Sequence, residues 1–378
     1  MVEWKKLGDV CKVLRGKRLT KSQLNESEGY PVLHGGSTPM GYYEEFNRKA
    51  NTTVVVNTGN AGSVFFYDKE FWSSDACFSL YPNKEINDKF LYLYVYGCER
   101  ILKGKIRAGA MPTIDAKAVE DLLIPIPSHS EQQRIVSILD TFTSSISNLK
   151  QQIEERRKQY EYERDLLLDL EGKEGVEMKK LGEIGDVTKL AGFEFTEHVT
   201  YQEDGKIIAL RGLNVRDGHL DLNQVKYIDG SNFAKLSRSK LVINDMLFTY
   251  VGTIGNVALI DENEKYYLAP NVSRIRFDES IINPKYALYI FMSQSFHRTQ
   301  INKFLNSSSM KNLSMENIRK FILPIPPLST QSRIVSILDT FEQSISNLEE
   351  QLAMREKQYE YYRNQLLTFE GEEERGKT

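Results

Sequence analysis

The side chains that could carry chemistry are present but scattered. Five histidines, His34, His129, His198, His219 and His297, stand far apart with no shared spacing, so each reads as a surface or packing residue rather than a base or ligand. Cys11, Cys77 and Cys98 form no Cys-x-x-Cys pair, which gives neither a zinc site nor a disulfide framework and suggests a reducing, cytoplasmic home. There is no Gly-x-x-x-x-Gly-Lys-Ser/Thr phosphate loop and no His-Glu-x-x-His helix. Ile325-Pro326-Pro327-Leu328 lacks the acid or amide and the aromatic with which amino-methyltransferases hold a flipped base. An Asp…Glu-x-Lys nuclease trio in strand context is also missing. The expectation is a non-catalytic chain that binds no metal or cofactor itself.

What does recur is a set of basic, polar turns. Arg15-Gly16-Lys17-Arg18, His34 in Leu33-His34-Gly35, and Lys103-Gly104-Lys105-Ile106-Arg107 supply them early. Later come Arg211-Gly212-Leu213-Asn214-Val215-Arg216, Ser237-Arg238-Ser239-Lys240, and Ser307-Ser308-Ser309-Met310-Lys311-Asn312. Lysine and arginine attract phosphate, while arginine and asparagine can read base edges in the major groove. The DNA-contact candidates are therefore Arg15, Lys17, Arg18, His34, Lys103, Lys105, Arg107, Arg211, Asn214, Arg216, Arg238, Lys240 and Lys311. Taken singly, such a turn is more often solvated than in contact. Tyr250-Val251-Gly252-Thr253-Ile254-Gly255 is equally well explained as a structural strand turn. The net charge of −3 also argues against a chain that grips DNA alone, so binding must rest on local patches or on partner subunits.

These turns are set in a chain that repeats itself. Glu131-Gln132-Gln133-Arg134-Ile135-Val136-Ser137-Ile138-Leu139-Asp140-Thr141-Phe142 returns 199 residues later as Thr330-Gln331-Ser332-Arg333-Ile334-Val335-Ser336-Ile337-Leu338-Asp339-Thr340-Phe341. The match holds without a gap to Leu167 and Leu366. Each copy follows a body of short β-branched and aromatic runs broken by Gly, Asn, Asp and Pro, the pattern of strands in a compact sheet. The bodies match with drift. Glu177 to Gly182 answers Glu3 to Gly8, Leu210-Arg211-Gly212 answers Leu33-His34-Gly35, and Gly255-Asn256-Val257 answers Gly62-Ser63-Val64. Tyr286 answers Phe90, and Leu323-Pro324-Ile325-Pro326 answers Ile124-Pro125-Ile126-Pro127. The offset grows from 177 to 193 between the second and third of these anchors, which places one enlarged surface region in the second body.

The arms read as coiled coil. Ile146, Leu149, Ile153, Tyr160 and Leu167 fall on the a/d seam of the first, and Ile345, Leu348, Leu352, Tyr359 and Leu366 on that of the second. Arg156 and Arg355 occupy equivalent seam positions, where a buried guanidinium is costly, so a glutamate such as Glu155 or Glu356 is the expected partner. The fold class implied is α+β: two mixed α/β bodies separated by two long helices forming an antiparallel coiled coil, with a pseudo-two-fold internal repeat. The bounds are 1–128 and 176–328 for the bodies, 129–175 and 329–370 for the arms with linker, and 371–378 for a charged, disordered tail. No run reaches the ~18 apolar residues of a membrane span.

The order body, Ile-Pro-Ile-Pro strand, Gln-x-Arg-Ile-Val-Ser-Ile-Leu-Asp helix and arm, given twice, resembles the DNA-specificity subunit of Type I restriction-modification enzymes. The resemblance covers essentially the whole chain. It implies two target-recognition domains that read the halves of a bipartite, asymmetric sequence in double-stranded DNA. It also implies arms that dock two adenine-N6 methyltransferase subunits, with restriction (translocase/nuclease) subunits beyond them. S-adenosylmethionine, ATP and Mg would then sit on those partners. A stand-alone DNA-binding regulator and a coiled-coil protein scaffold are the rival readings, and co-purification with a methyltransferase separates them.

Overall fold

The structure, a computed structural model, describes residues 2–36, 38–107, 109, 111–190, 197–305 and 312–369. Lys311 and the expected tail at 371–378 lie outside them. The chain forms two compact units. One holds Met1–Lys150 and Gln351–Thr378, the other Gln151–Glu350. Each unit is thus one body, the start of the arm that leaves it, and the distal half of the other arm.

In the first unit the strands are β1 (Glu3–Lys6), β2 (Cys11–Arg15), β3 (Tyr30–Leu33), β4 (Tyr42–Tyr43), β5 (Thr52–Val56), β6 (Val64–Tyr67), β7 (Trp72–Ser73), β8 (Cys77–Pro82) and β9 (Leu123–Ile126). They form a four-stranded antiparallel sheet β2-β8-β5-β6, a small sheet β4-β3-β7 and the pair β1-β9. In the second unit they are β10 (Glu177–Lys180), β11 (Gly185–Lys189), β12 (Ile208–Leu210), β13 (Val215–Arg216), β14 (His219–Leu220), β15 (Met246–Thr249), β16 (Val257–Leu259), β17 (Tyr266–Leu268), β18 (Val272–Phe277) and β19 (Ile322–Ile325). The sheets are β11-β18-β15-β16, the parallel pair β12-β17, and β10-β19. The β3-β7 pairing is parallel too, so both bodies share one plan. The β13-β14 hairpin lies in the stretch by which the second body is enlarged. Val55, Val64, Phe78 and Leu80 face the core on the first sheet, and Met246, Phe248, Val257 and Ile275 on the second.

A fully buried glutamine ties each body to its arm. In the first unit, Gln132 Oε1 accepts from Asn87 N at 2.7 Å, and its Nε2 donates to Glu85 O and Pro127 O at 2.8 and 3.0 Å. Gln331 repeats this in the second unit, accepting from Asn283 N at 2.7 Å and donating to Ile281 O and Pro326 O. Asn87 and Asn283 are themselves the N-caps of the body helices Asp88–Gly97 and Pro284–Met292. One amide therefore satisfies three backbone groups at the point where strand, body helix and arm meet. Lys89–Asp140 at 3.0 Å and Lys285–Asp339 at 2.8 Å add an ion pair at equivalent places. Ile135 and Leu139 are buried in the first core, Ile334 and Leu338 in the second.

The arms are helices of 40 residues each, His129–Leu168 and Leu328–Leu367. Within each unit they pack antiparallel. Phe142 stacks on Tyr362 at 5.2 Å between ring centroids, and Tyr160 faces Phe341 at 6.4 Å. Ile153 and Tyr160 are buried, while Ile146, Leu149, Ile345, Leu348, Leu352 and Tyr359 are half-buried, as a two-helix seam allows. The seam arginines correct one expectation: neither forms an ion pair among the described residues, and Glu356 pairs with Lys150 instead. Arg156 lies over the Phe341 ring and donates to Gln159, and Arg355 lies over Phe142 and donates to Gln358. An aromatic face accommodates a guanidinium that keeps its outer edge in water, which removes the cost that called for a glutamate.

Candidate nucleic-acid interface

Both bodies close one end of their sheets in the same way. In the second, the strand ends β12, β15 and β17 meet: Ala269 N donates to Leu210 O at 3.1 Å and Leu313 N to Tyr250 O at 3.0 Å. In the first, Ser74 N donates to Leu33 O at 3.1 Å and Ile114 N to Asn57 O at 2.9 Å, the equivalent pairs. Loops at the ends of a rigid sheet are where a binding surface can vary while the frame stays fixed.

In the second body this end holds a cavity of about 750 Å³, walled by Tyr201, Arg211, Leu213, Val251, Thr253 and Asn271 among others. Arg211 opens a 3-10 turn, Gly212–Asn214, and its Nη2 donates to Gln224 O at 2.8 Å. Its Nε is buried without a hydrogen-bond partner among the described residues. Burial raises the Tyr201 phenol pKa, and the Arg211 charge beside it pulls the other way. Arg216 stands at the rim, loosely paired with Asp221 at 3.7 Å. Leu213 and Val251 leave apolar surface exposed at the mouth.

In the first body, the Arg15-Gly16-Lys17 strap crosses the same end. Arg15 Nε donates to Asp75 O at 2.9 Å, Lys17 N to Ser73 O at 2.9 Å, and Trp72 Nε1 to Lys17 O at 2.7 Å. A Cβ at Gly16 would stand 2.1 Å from Ser74 O, so only glycine lets the strap lie this close. His34 Nδ1 and Ser74 Oγ are hydrogen-bonded at 2.9 Å. Thr113 bridges Thr58 and Arg107, which brings Arg107 to this end, ion-paired with Asp115.

The structure therefore gathers Arg15, Lys17, His34 and Arg107 at one body's strand ends, with Arg18 exposed next to Lys17, and Arg211 and Arg216 at the other's. It separates the rest. Asn214 is fully buried, donating to Asp221 O and Gln224 O and accepting from Arg211 N, so its amide shapes the turn and faces no solvent. Lys240 pairs with Glu264 on the turn that enters β17, at the far end of that strand. Arg238 O accepts from Arg274, placing its 3-10 turn against β18. Lys103 is held by Glu99 at 2.6 Å, and Lys105 is exposed just past the Glu99–Gly104 helix. Tyr201 and Asn271 went unnoticed in the sequence. Tyr201 has no counterpart in the repeat pattern, whereas Pro270-Asn271, with Asn271 at φ 72°, is a turn signal between two strands.

Burial pushes the Cys11 thiol up to about 12 and the Cys77 thiol up to about 11, so neither is a ready nucleophile. Among the described residues, no three His, Cys, Asp or Glu side chains stand close enough to hold a metal ion, and no helix is long and apolar enough to cross a membrane.

The family model described as "Type I restriction modification DNA specificity domain" matches residues 1–156 and 173–354. The putative type I restriction enzyme specificity subunit S.HindORF215P of Haemophilus influenzae is 29% identical, over 97% of this chain and 96% of that protein. The EcoR124I/EcoR124II specificity subunit of Escherichia coli is 26% identical, over 97% and 94%. The S subunit structure from M. genitalium superposes with a TM-score of 0.65 at 17% identity, covering 97% of each chain. With two bodies of one plan, repeated arms and this match across both repeats, the chain belongs to the Type I restriction-modification DNA specificity family, whose domains recognise a DNA target.

Proposed function

We propose that the chain reads a bipartite, asymmetric DNA sequence with a fixed gap and docks two adenine-N6 methyltransferase subunits, with restriction subunits joining them in the cytoplasm. The target-recognition domains in this reading are 1–128 and 176–328, and their strand-end faces meet the bases. S-adenosylmethionine, ATP and Mg belong to the partners. One observation carries the proposal: the repeat keeps the body-to-arm joint while the strand-end loops differ. His34 stands where Arg211 stands, and among the described residues only the second body carries the β13-β14 hairpin. Equivalent frames with unlike faces suit two different half-sites on opposite strands of one duplex. Phosphate neutralisation shared with partners also suits a chain of net charge −3.

The test is a map of N6-methyladenine in cells with and without this chain. The expected result is the loss of one two-part motif. An unchanged methylation pattern overturns the proposal, and a regulator or scaffold would give that result.

A further inference from the structure

Arg211 differs from Arg216 and Lys240, which pair with the carboxylates of Asp221 and Glu264, in how it is held. Its Nη2 is fixed by Gln224 O at 2.8 Å, and that carbonyl also receives Asn214 Nδ2 at 3.0 Å. The side chain is half-buried in the floor of the 750 Å³ cavity, next to Tyr201, with Leu213 and Val251 at the mouth. A phosphate anchor is ordinarily a flexible cation on open surface, as Arg216 is here. A guanidinium oriented by a backbone carbonyl, inside an apolar-walled recess, is instead a directional donor. No carboxylate forms an ion pair with it among the described residues, and its buried Nε finds no hydrogen-bond acceptor there. The guanidinium thus keeps donor capacity that no acceptor among the described residues meets. Guanine is the base whose major-groove edge presents acceptors alone, O6 and N7, and arginine is its commonest partner.

We propose that Arg211 is the specificity-determining residue for one guanine in the half-site read by the second body. The proposal rests on the DNA-reading function above. Gln224, whose main-chain carbonyl holds Nη2, and Tyr201, which walls the same cavity, act as positioning residues. The equivalent residue of the first body, His34, is tied to Ser74 at the same strand end, so the two domains place different donors in one frame.

The experiment is a methylation map in cells carrying the partner subunits with the wild-type chain, Arg211→Ala, Arg211→Gln or Arg211→Lys. For Arg211→Ala, discrimination at a single guanine of one half-site should fall at least 10-fold while the other half-site is unchanged. Arg211→Gln retains a donor for Gln224 O and should shift that position towards adenine, which glutamine pairs through N6 and N7. Lys240→Ala, at the far end of β17, should leave the motif intact. An unchanged motif in Arg211→Ala overturns the inference and leaves the DNA-reading function standing. So does equal weakening of both half-sites. If the wild-type chain directs no motif, it is the DNA-reading function that fails. If Arg211→Ala does not fold, Arg211→Gln and Arg211→Lys decide: wild-type base preference in both overturns the assignment.

Discussion

Lys150 and Glu349 stand at equivalent positions of the two arms, 199 residues apart, and carry opposite charge. Lys150 binds Glu356 at 2.9 Å in one unit, and Glu349 binds Arg157 at 2.5 Å in the other. Arg157 and Glu356 are equivalent in their turn, so the repeat keeps the pair and inverts its sign. Two copies of the first arm in the same register would set Lys150 against Arg157, and two copies of the second would set Glu349 against Glu356. Charge therefore selects unlike arms over like ones. All four side chains are substantially exposed, so each attraction amounts to only about 0.2–1 kcal/mol. Glu349→Lys should lower the urea midpoint of the full chain slightly, and adding Arg157→Glu should restore it. A double-mutant cycle should return a coupling of that size which shrinks in ~1 M salt. Zero coupling at low salt would remove the pair from the account.

The glutamine joints should matter far more. Gln331→Leu keeps the volume but strands Asn283 N and the Ile281 and Pro326 carbonyls. Unmet buried polar groups cost about 1–3 kcal/mol each, and with partial relaxation a loss of about 2–4 kcal/mol is expected in urea unfolding. Gln132→Leu should match it in the first unit, whereas the exposed neighbour Gln133→Leu should change little. A loss below ~0.5 kcal/mol, the size of an ordinary surface change, would mean that the joint is held by its apolar contacts alone.

That joint was legible as a repeat but not as a clasp. Gln132 and Gln331 stood out because they recur, yet nothing in local sequence says that an amide reaches 45 residues back to Asn87. Helix caps, by contrast, act within three residues: Asn87 Oδ1 accepts from Lys89 N and Phe90 N, a contact that local sequence does specify. The seams were visible through their period. The arginine partners were not, because Phe142 and Phe341 look like joint residues in one arm and become ring platforms only when the other helix is present. For the candidate site, the repeat located His34 and Arg211. Asn214 misled because its side chain folds inward onto Gln224, a choice made by the loop as a whole.

Alkaline pH should weaken the second unit through Tyr289. Its phenol is buried and donates to Asp339 Oδ1 at 2.5 Å. Burial first, then that bond, raises its pKa well above the usual range. The folded state thus holds the proton more tightly than the unfolded chain. The stabilisation is complete below pH ~10, where an unfolded tyrosine titrates, and is lost as the pH climbs from there towards the folded value. In Tyr289→Phe the unfolding free energy should fall less steeply above pH ~10, by up to ~1.36 kcal/mol per pH unit. Burial raises Tyr286 as well, so some slope must remain. Identical slopes in both proteins would show that Tyr289 does not report the alkaline transition.

Arm length is the remaining element of the proposed function that can be changed without touching either body. A heptad inserted after Gln151 in the first arm and after Glu350 in the second keeps the a/d seam in phase. The insertion points fall at or beside the boundaries of the compact units, so Lys150–Glu356 and Arg157–Glu349 both stay within their own units. Seven residues add ~10.5 Å at ~1.5 Å per residue, which corresponds to about three base pairs at ~3.4 Å each along one strand. The methylated motif should keep both half-sites and widen its gap by about three base pairs. The same insertion in one arm only puts the two seams out of length and should cost stability and methylation together. A double insertion that folds and methylates with the original gap would mean that something other than the arms sets the spacing.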